Sequence, residues 1–333
     1  MSELLSFPFM QRALLASLLN GLIAPAIGVY VVQRRLSLLG DGLGHVAIAG
    51  VGLALLTGSA PIPVAVVVCI VGAVVVELLR QLGKATGDVG LAILFYGGLA
   101  AGVLMSGIAG AGAGALSQYL FGSLTTVTAA DLRLVAVLAV VVLVPTLGLA
   151  PQLFAVCTDE QHARTLGLPV RFYNVLIVVL AAITVSMAMR TVGLLLVSAL
   201  MVIPVAAAQN LVRGFYATLG CAMAVGAVVA VGGAAGSYYA DAAPGALIVV
   251  LAIAVFALSW PVSALTRRRR RVLELPLDPA AALEGVPHVV AEDTHPHRHD
   301  ETCGHKALRH GDHTDYVHEG HRHAAHADHY DEH

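Results

Sequence analysis

From Phe9 to Val262 the chain is a succession of long apolar runs, broken only by Gly, Pro and an occasional charge. Few folds can accommodate such runs. A hydrocarbon layer offers no partner for an open backbone N–H or C=O, so a spanning segment must close its hydrogen bonds within a helix or around a barrel. Barrel strands show short segments of alternating polarity, and these runs do not alternate. The fold class is therefore an all-α polytopic membrane protein. Charged residues are only 12% of the chain, in keeping with that class, and a net charge of -2 gives no sign of a nucleic-acid partner.

About nine spans are legible, at 13–33, 42–57, 62–82, 89–106, 132–150, 172–189, 192–211, 215–236 and 245–263, each long enough to cross or nearly cross a core of about 30 Å. Arg12 alone precedes the first run without a cleavage pattern behind it, so that run reads as a retained helix. Placing the N-terminus outside puts Arg34, Arg35, Arg80, Lys84, Arg164, Arg171, Arg213 and the run Arg267 to Arg271 on the cytoplasmic side, against Arg12, Arg133 and Arg190 outside. Nine crossings then leave the C-terminus in the cytoplasm. The membrane body covers 1–265, a basic and Pro-containing linker 266–287, and a His-rich tail 288–333. Between the fourth and fifth spans, a Gly/Ala segment from Gly107 to Gly114 and the short run Leu116 to Leu124 read as an outer loop with a re-entrant half-helix, which survives at membrane depth only under protein or beside a water-filled cavity.

Asp41 and His45 are the sharpest feature of the body. They lie at the start of the second span in Gly40-Asp41-Gly42-Leu43-Gly44-His45, and an i, i+4 spacing sets both on one helical face. Asp41 could serve as an N-cap and His45 could make one buried hydrogen bond. Depth favours an ion: ten residues after Arg35, His45 lies up to about 15 Å into the layer, where ionisable groups face cavities or pathways. One Asp and one His are two ligands where zinc prefers four, so a symmetric pair of chains would complete an Asp2His2 set suited to zinc, manganese or ferrous iron. Gly40, Gly42, Gly44 and Ala47 would let another helix approach closely. Glu77 with Arg80, and Asp131 with Arg133, read as structural pairs at the two interfaces.

The longest internal loop, Cys157 to Pro169, predicts a short amphipathic helix with Thr158 as N-cap, acids in the first turn and a Gly-x-Pro stop, suited to docking. Cys69 and Cys221 fall inside apolar runs, Cys157 in this polar loop and Cys303 in the tail, with no disulfide framework. Thirteen of the 15 histidines lie between His288 and His333, with ten carboxylates interleaved. Imidazole suits zinc, copper, nickel and iron, and spacings such as His295-Pro296-His297-Arg298-His299 and His321-Arg322-His323 let rings converge on one ion. So little apolar surface predicts a tail that is disordered without metal.

Taken together, these segments resemble the permease subunit of the zinc/manganese/iron ABC importers, a zinc uptake permease-like chain, over residues 7 to 265. The resemblance rests on Arg34-Arg35-Leu36-Ser37-Leu38-Leu39-Gly40-Asp41-Gly42-Leu43-Gly44-His45, on Leu120-Phe121-Gly122, on Asp159-Glu160 through Gly167-Leu168-Pro169, and on Val192-Gly193-Leu194-Leu195-Leu196-Val197-Ser198-Ala199-Leu200-Met201-Val202-Ile203-Pro204. It implies a type II ABC importer-like permease in a bacterial cytoplasmic membrane, working as a homodimer with two ATPase subunits and an extracytoplasmic metal-binding protein. It implies that Asp41 and His45 contact the metal in the pathway. It also implies that Asp159, Glu160, Ala163 and Gly167 belong to the helix that docks on the ATPase. Zinc, or manganese or iron, is then cargo, with no permanently bound cofactor. Relatives usually carry Asp-Ala-Leu-Ser-His where this chain has Gly42 and Gly44. The chain contains no Gly-x-x-x-x-Gly-Lys-Ser/Thr phosphate loop, so it is a transporter subunit and ATP hydrolysis must come from a partner. The alternative is a secondary, proton-coupled metal transporter or exporter, which would need His/Asp pairs on at least two spans. The tail lies outside the resemblance, and His295, His297, His299, His305, His321 and His323 are read as ligands of a cytoplasmic metal buffer or sensor.

Overall fold

The structure is a computed structural model that describes residues 7–83, 87–122, 127–189, 193–273, 289–290, 304–310, 313–318, 321–326 and 329–332. The chain divides into two units, Met1–Ala264 and Leu265–His333. The first is helical throughout its described residues: α1 Pro8–Gln33, α2 Leu39–Thr57, α3 Pro61–Gln81, α4 Gly87–Ile108, α5 Gly112–Phe121, α6 Ala129–Gly148, α7 Ala150–Thr158, α8 Glu160–Thr165, α9 Val170–Ala188, α10 Leu194–Leu211 and α11 Phe215–Ala240. A twelfth helix, α12, runs Pro244–Leu273. Eight of these are long and apolar enough to cross a membrane. The ninth expected span, 192–211, is α10, an apolar helix of 18 residues.

Local chemistry sets the boundaries. Pro stands in the first turn of α1, α3 and α7, where its missing N–H removes no helical bond. Asp131 closes a capping box with Thr128 at the start of α6. The α1–α2 connection ends α1 with Arg35 in the left-handed region (φ 58°), and Leu36 N–H returns to Val31 C=O at 3.0 Å. That short turn carries Arg34 inward. The Gly/Ala segment is narrower than expected as a loop: α4 continues through Gly107, and α5 resumes at Gly112. With ten residues, α5 is about 15 Å long, too short to cross.

Burial sorts the helices. The apolar windows of α1, α2 and α9 are 72%, 78% and 67% buried, against 22% in α4, α6 and α12. The first three are the centre, and the others turn apolar faces such as Val140, Val144, Val250 and Trp260 outward, as a lipid-facing helix does. Small residues make the tight centre possible. A Cβ on Gly98 of α4 would lie 2.6 Å from the backbone of His45 and Val46, so α4 presses directly on the Asp41–His45 turn of α2.

The second unit departs from the disordered tail that composition predicts. Its described residues pair as β1 Val289–Val290, β2 Lys306–His310, β3 His313–His318, β4 His321–His326 and β5 His329–Glu332, an antiparallel sheet in the order β1-β5-β4-β3-β2. Backbone pairing needs no apolar core to satisfy its donors and acceptors, and Val, Tyr and Thr within β3 favour the extended state. The basic run Arg267 to Arg271 is likewise a continuation of α12 rather than the start of a linker.

Candidate functional site

Asp41 and His45 lie one turn apart in the first half of α2. His45 is buried, and its Nδ1 lies 2.8 Å from the Asp41 carbonyl oxygen. A carbonyl only accepts, so Nδ1 carries the proton and Nε2 is left with its lone pair for a ligand. The Phe95 ring of α4 lies 3.9 Å from the imidazole, centroid to centroid, and fixes its plane from one side. Asp41 is held from α10: Ser198 Oγ donates a short hydrogen bond to Asp41 Oδ1. The small residues around the pair act as expected, since a Cβ on Gly40 would meet Ser198 and Met201, and one on Gly44 would lie 2.4 Å from Leu194. Gly44 in place of a larger residue thus matches the inward reach of Leu194.

Asp41 borders a cavity of about 290 Å³ lined by Leu38, Gly42, Leu91, Ala92, Phe95 and Tyr96. Every other lining side chain is apolar or aromatic, so the carboxylate is the charged group a cation would meet there. Among the described residues no three His, Cys, Asp or Glu side chains gather around one point. At this turn one chain presents two donor groups, an imidazole nitrogen and a carboxylate.

On the side of the α1–α2 turn, a charge cluster ties four elements together. Arg80 grips Glu77 in a bidentate pair at 2.8 and 2.9 Å, and Gln81 donates to Glu77 at 3.0 Å. Arg34, with 5% of its side chain exposed, lies 3.6 Å from both Glu77 and Glu160. Glu160 also accepts from Asn174 of α9 at 3.0 Å and pairs with Arg164 at 3.5 Å. The expected docking helix is thus α8, fastened to α1, α3 and α9 through Glu160. Its N-cap is Asp159 rather than Thr158, whose hydroxyl instead closes α7 on Phe154 C=O. Backbone N–H groups of His162 and Gln161 hold the Asp159 carboxyl below the usual carboxylate range. Ala163 is fully buried against Val156 and Val170, so its small size serves packing within the chain. Gly167 takes φ +78° where α8 stops. Cys157 is likewise buried at the end of α7, not in a polar loop.

The sequence profile of the ABC 3 transport family matches residues 6–263. The chain belongs to that family. It is 31% identical to the manganese transport system membrane protein MntC of Halalkalibacterium halodurans, over 78% of this chain and 88% of that one. It is 30% identical to the chelated iron transport system membrane protein YfeD of Yersinia pestis, over 75% and 84%. Among solved structures it resembles PsaBC from Streptococcus pneumoniae in complex with Fab, with 27% identity, a TM-score of 0.71, and coverage of 78% of this chain and 93% of that one. The chain is accordingly a membrane permease subunit of an ABC transporter, not an enzyme, and its ATPase is a separate subunit.

The fold joins segments that carry the family likeness. Gly193 (φ +90°) abuts the backbone of Leu120, Phe121 and Gly122, so the end of α5 locks onto the start of α10, and α10 in turn brings Ser198 to Asp41. Ser198 is the site residue that sequence reasoning missed. It sits in an apolar run, 157 positions from its partner, and nothing local marks it. A Ser198→Ala permease should keep its helices and bind metal about 10- to 100-fold more weakly, the cost of losing a group that orients a ligand; an unchanged Kd for zinc would reduce Ser198 to packing. In the tail, His305, His321 and His323 lie in or beside the sheet, whereas His295, His297 and His299 fall outside the described residues, as do Lys84 and Cys303.

Proposed function

We propose that this permease carries a divalent transition metal into the cytoplasm, zinc first, with manganese and ferrous iron as further cargo. The observation that carries the reading is the Asp41–His45 turn. It pairs a carboxylate at the edge of a cavity with an imidazole whose Nδ1 proton is already spent on the Asp41 carbonyl, leaving Nε2 to bind an ion. The manganese and iron named for its relatives support the cargo class. Two copies around a twofold axis would supply Asp2His2, and weak, exchangeable coordination suits a site that must release its ion. An extracytoplasmic metal-binding protein would deliver the ion, and the excess of Arg and Lys on one side supports placing α8 and the tail in the cytoplasm.

The ATPase would bind α8. Its exposed surface is Gln161, His162, Arg164, Thr165 and Leu166, with Leu166 61% exposed. A movement of α8 would pass through Glu160 to Arg34 at the end of α1 and thence to Asp41, seven residues further along. Leu166→Asp should therefore abolish co-purification of the ATPase while leaving the permease folded. Retained co-purification would move docking elsewhere.

The tail, on this reading, buffers or senses the metal after entry. Truncation after Leu273 should change the inhibition of uptake by excess intracellular zinc. Cargo is tested by loading vesicles that hold the permease, its ATPase and ATP with zinc, manganese or ferrous iron. Accumulation is expected, with zinc the strongest competitor; no accumulation of any of the three overturns the proposal.

A further inference from the structure

A second cavity of about 290 Å³ lies among α3, α8 and α9, walled by Arg80, Gln81, Glu160, Arg164, Arg171 and Asn174. Its volume is near the lower end for a small-ligand site. Every side chain of its wall is polar or charged, in contrast to the mostly apolar cavity at Asp41. Three separate elements supply the arginines: Arg80 comes from α3, Arg164 from α8 and Arg171 from α9. Gly167, at φ +78°, turns the chain between the last two, so that both reach the same space.

The charges around this space do not balance. Arg34 and Arg80 share Glu77 and Glu160 between them, and Arg164 reaches only the far oxygen of Glu160, at 3.5 Å. Arg171 makes no ion pair or side-chain hydrogen bond among the described residues. Four guanidiniums thus face two carboxylates. The hydrogen bonds are incomplete as well: Asn174 is 2% exposed and donates to Glu160 at 3.0 Å, yet its Oδ1 has no partner among the described residues. Buried polar atoms ordinarily find one. The wall therefore offers several N–H donors with surplus positive charge, beside acceptors on Asn174 and Glu160. An oxyanion that also carries a hydroxyl answers both.

We propose that this cavity binds a hydroxyl-bearing phosphate, its anionic oxygens held by Arg80, Arg164 and Arg171 and its hydroxyl donating to Asn174 or Glu160. Guanidinium is the side chain best matched to phosphate, since its planar fork meets two oxygens at once. Hydrogen phosphate has this chemistry, and so does a phosphoglycerol lipid head, whose glycerol supplies the hydroxyl. Leu78 and Leu82 of the α3 end and Phe172 beside Arg171 are exposed, as at a membrane interface, where basic pockets between helices take lipid heads. Either ligand would bridge α8 to α3 and α9 and so stiffen the seat of α8.

The test uses the full chain in a neutral detergent near neutral pH, with inorganic phosphate, sulfate or chloride added at fixed ionic strength. Binding is read by calorimetry and by the melting temperature, which a ligand of the folded state raises. Phosphate should bind saturably and more tightly than sulfate, which has no proton to give Asn174 or Glu160. Arg171→Gln should weaken phosphate about tenfold or more, the worth of a charge-assisted hydrogen bond. Arg171 is exposed and unpaired among the described residues, so this change removes no internal contact that they show. Arg171→Lys, which keeps the charge and loses the fork, should recover part of the affinity, and Arg213→Gln, an exposed arginine outside the wall, should change nothing. Phosphatidylglycerol in phosphatidylcholine nanodiscs separates the sources: displacement of phosphate, lost in Arg171→Gln, assigns the site to a lipid head, and phosphate binding indifferent to the lipid assigns it to the free ion. No saturable binding of either probe, equal affinity in wild type and Arg171→Gln, sulfate bound as tightly as phosphate, or an acidic peptide bound more tightly would overturn the proposal. No reading involves transport, so the site stands or falls apart from the importer reading.

Discussion

Replacing Asp41 or His45 by Ala should lower metal uptake by about two orders of magnitude or more, while the permease still inserts and still assembles with its ATPase. Loss of a residue that merely orients a ligand costs about 10- to 100-fold in metal affinity, so loss of a ligand sets a floor near the upper end of that range. Neither substitution should unfold the bundle. Asp41 is half-buried at a cavity edge, and removing it leaves Ser198 with a lost acceptor but no stranded charge. His45 lies against Phe95, and its loss leaves a gap beside one ring rather than an orphaned ion. The check is initial uptake of radioactive zinc in cells, scored against permease protein in the membrane fraction. Normal rates in both variants would remove the metal from this turn of α2.

Glu77→Ala should cost stability rather than selectivity. The carboxylate is 3% exposed, holds Arg80 through two hydrogen bonds, and stands 3.6 Å from an Arg34 that is almost as buried. Both Arg34 Nη atoms lie out of solvent without a hydrogen-bond partner among the described residues, so Glu77 and Glu160 hold that guanidinium by charge alone. Stranding a buried charge outright costs about 3–5 kcal/mol, and the loss here is smaller because Glu160 still stands 3.6 Å from Arg34. The Glu77→Ala permease should melt at a clearly lower temperature in detergent. Arg34→Met/Glu77→Leu, which removes both buried charges, should recover part of that loss. Equal melting of wild type and Glu77→Ala would show that the cluster is solvated and contributes little.

The parts of this architecture that were legible in the chain are those that depend on local pattern. Apolar runs announced helices because lipid forces backbone closure within each segment, and Asp41 and His45 were legible because a helix brings i and i+4 together. Long-range partners left no such trace. Ser198 reaches Asp41 only because α5 pins α10 at Gly193, and the link from Glu160 to Arg34 depends on a turn that folds one Arg inward. The packing of Ala163 against Val156 and Val170 is hidden for a related reason: sequence shows that a residue is small, not which surface needs it small. The Thr158 and Asp159 caps differ by one position, which start signals do not resolve. The pairing of the tail strands is likewise a long-range arrangement that composition does not carry.

The central claim is that metal crosses through an ATP-driven permease. Vesicles should be prepared with this chain alone, with its ATPase, and with an ATPase that binds but cannot hydrolyse ATP, and zinc accumulation followed under a neutral or an imposed proton gradient. The account predicts accumulation only with the active ATPase and ATP, at a rate indifferent to the proton gradient. Accumulation by the chain alone, or uptake that follows the proton gradient without ATP, would contradict it.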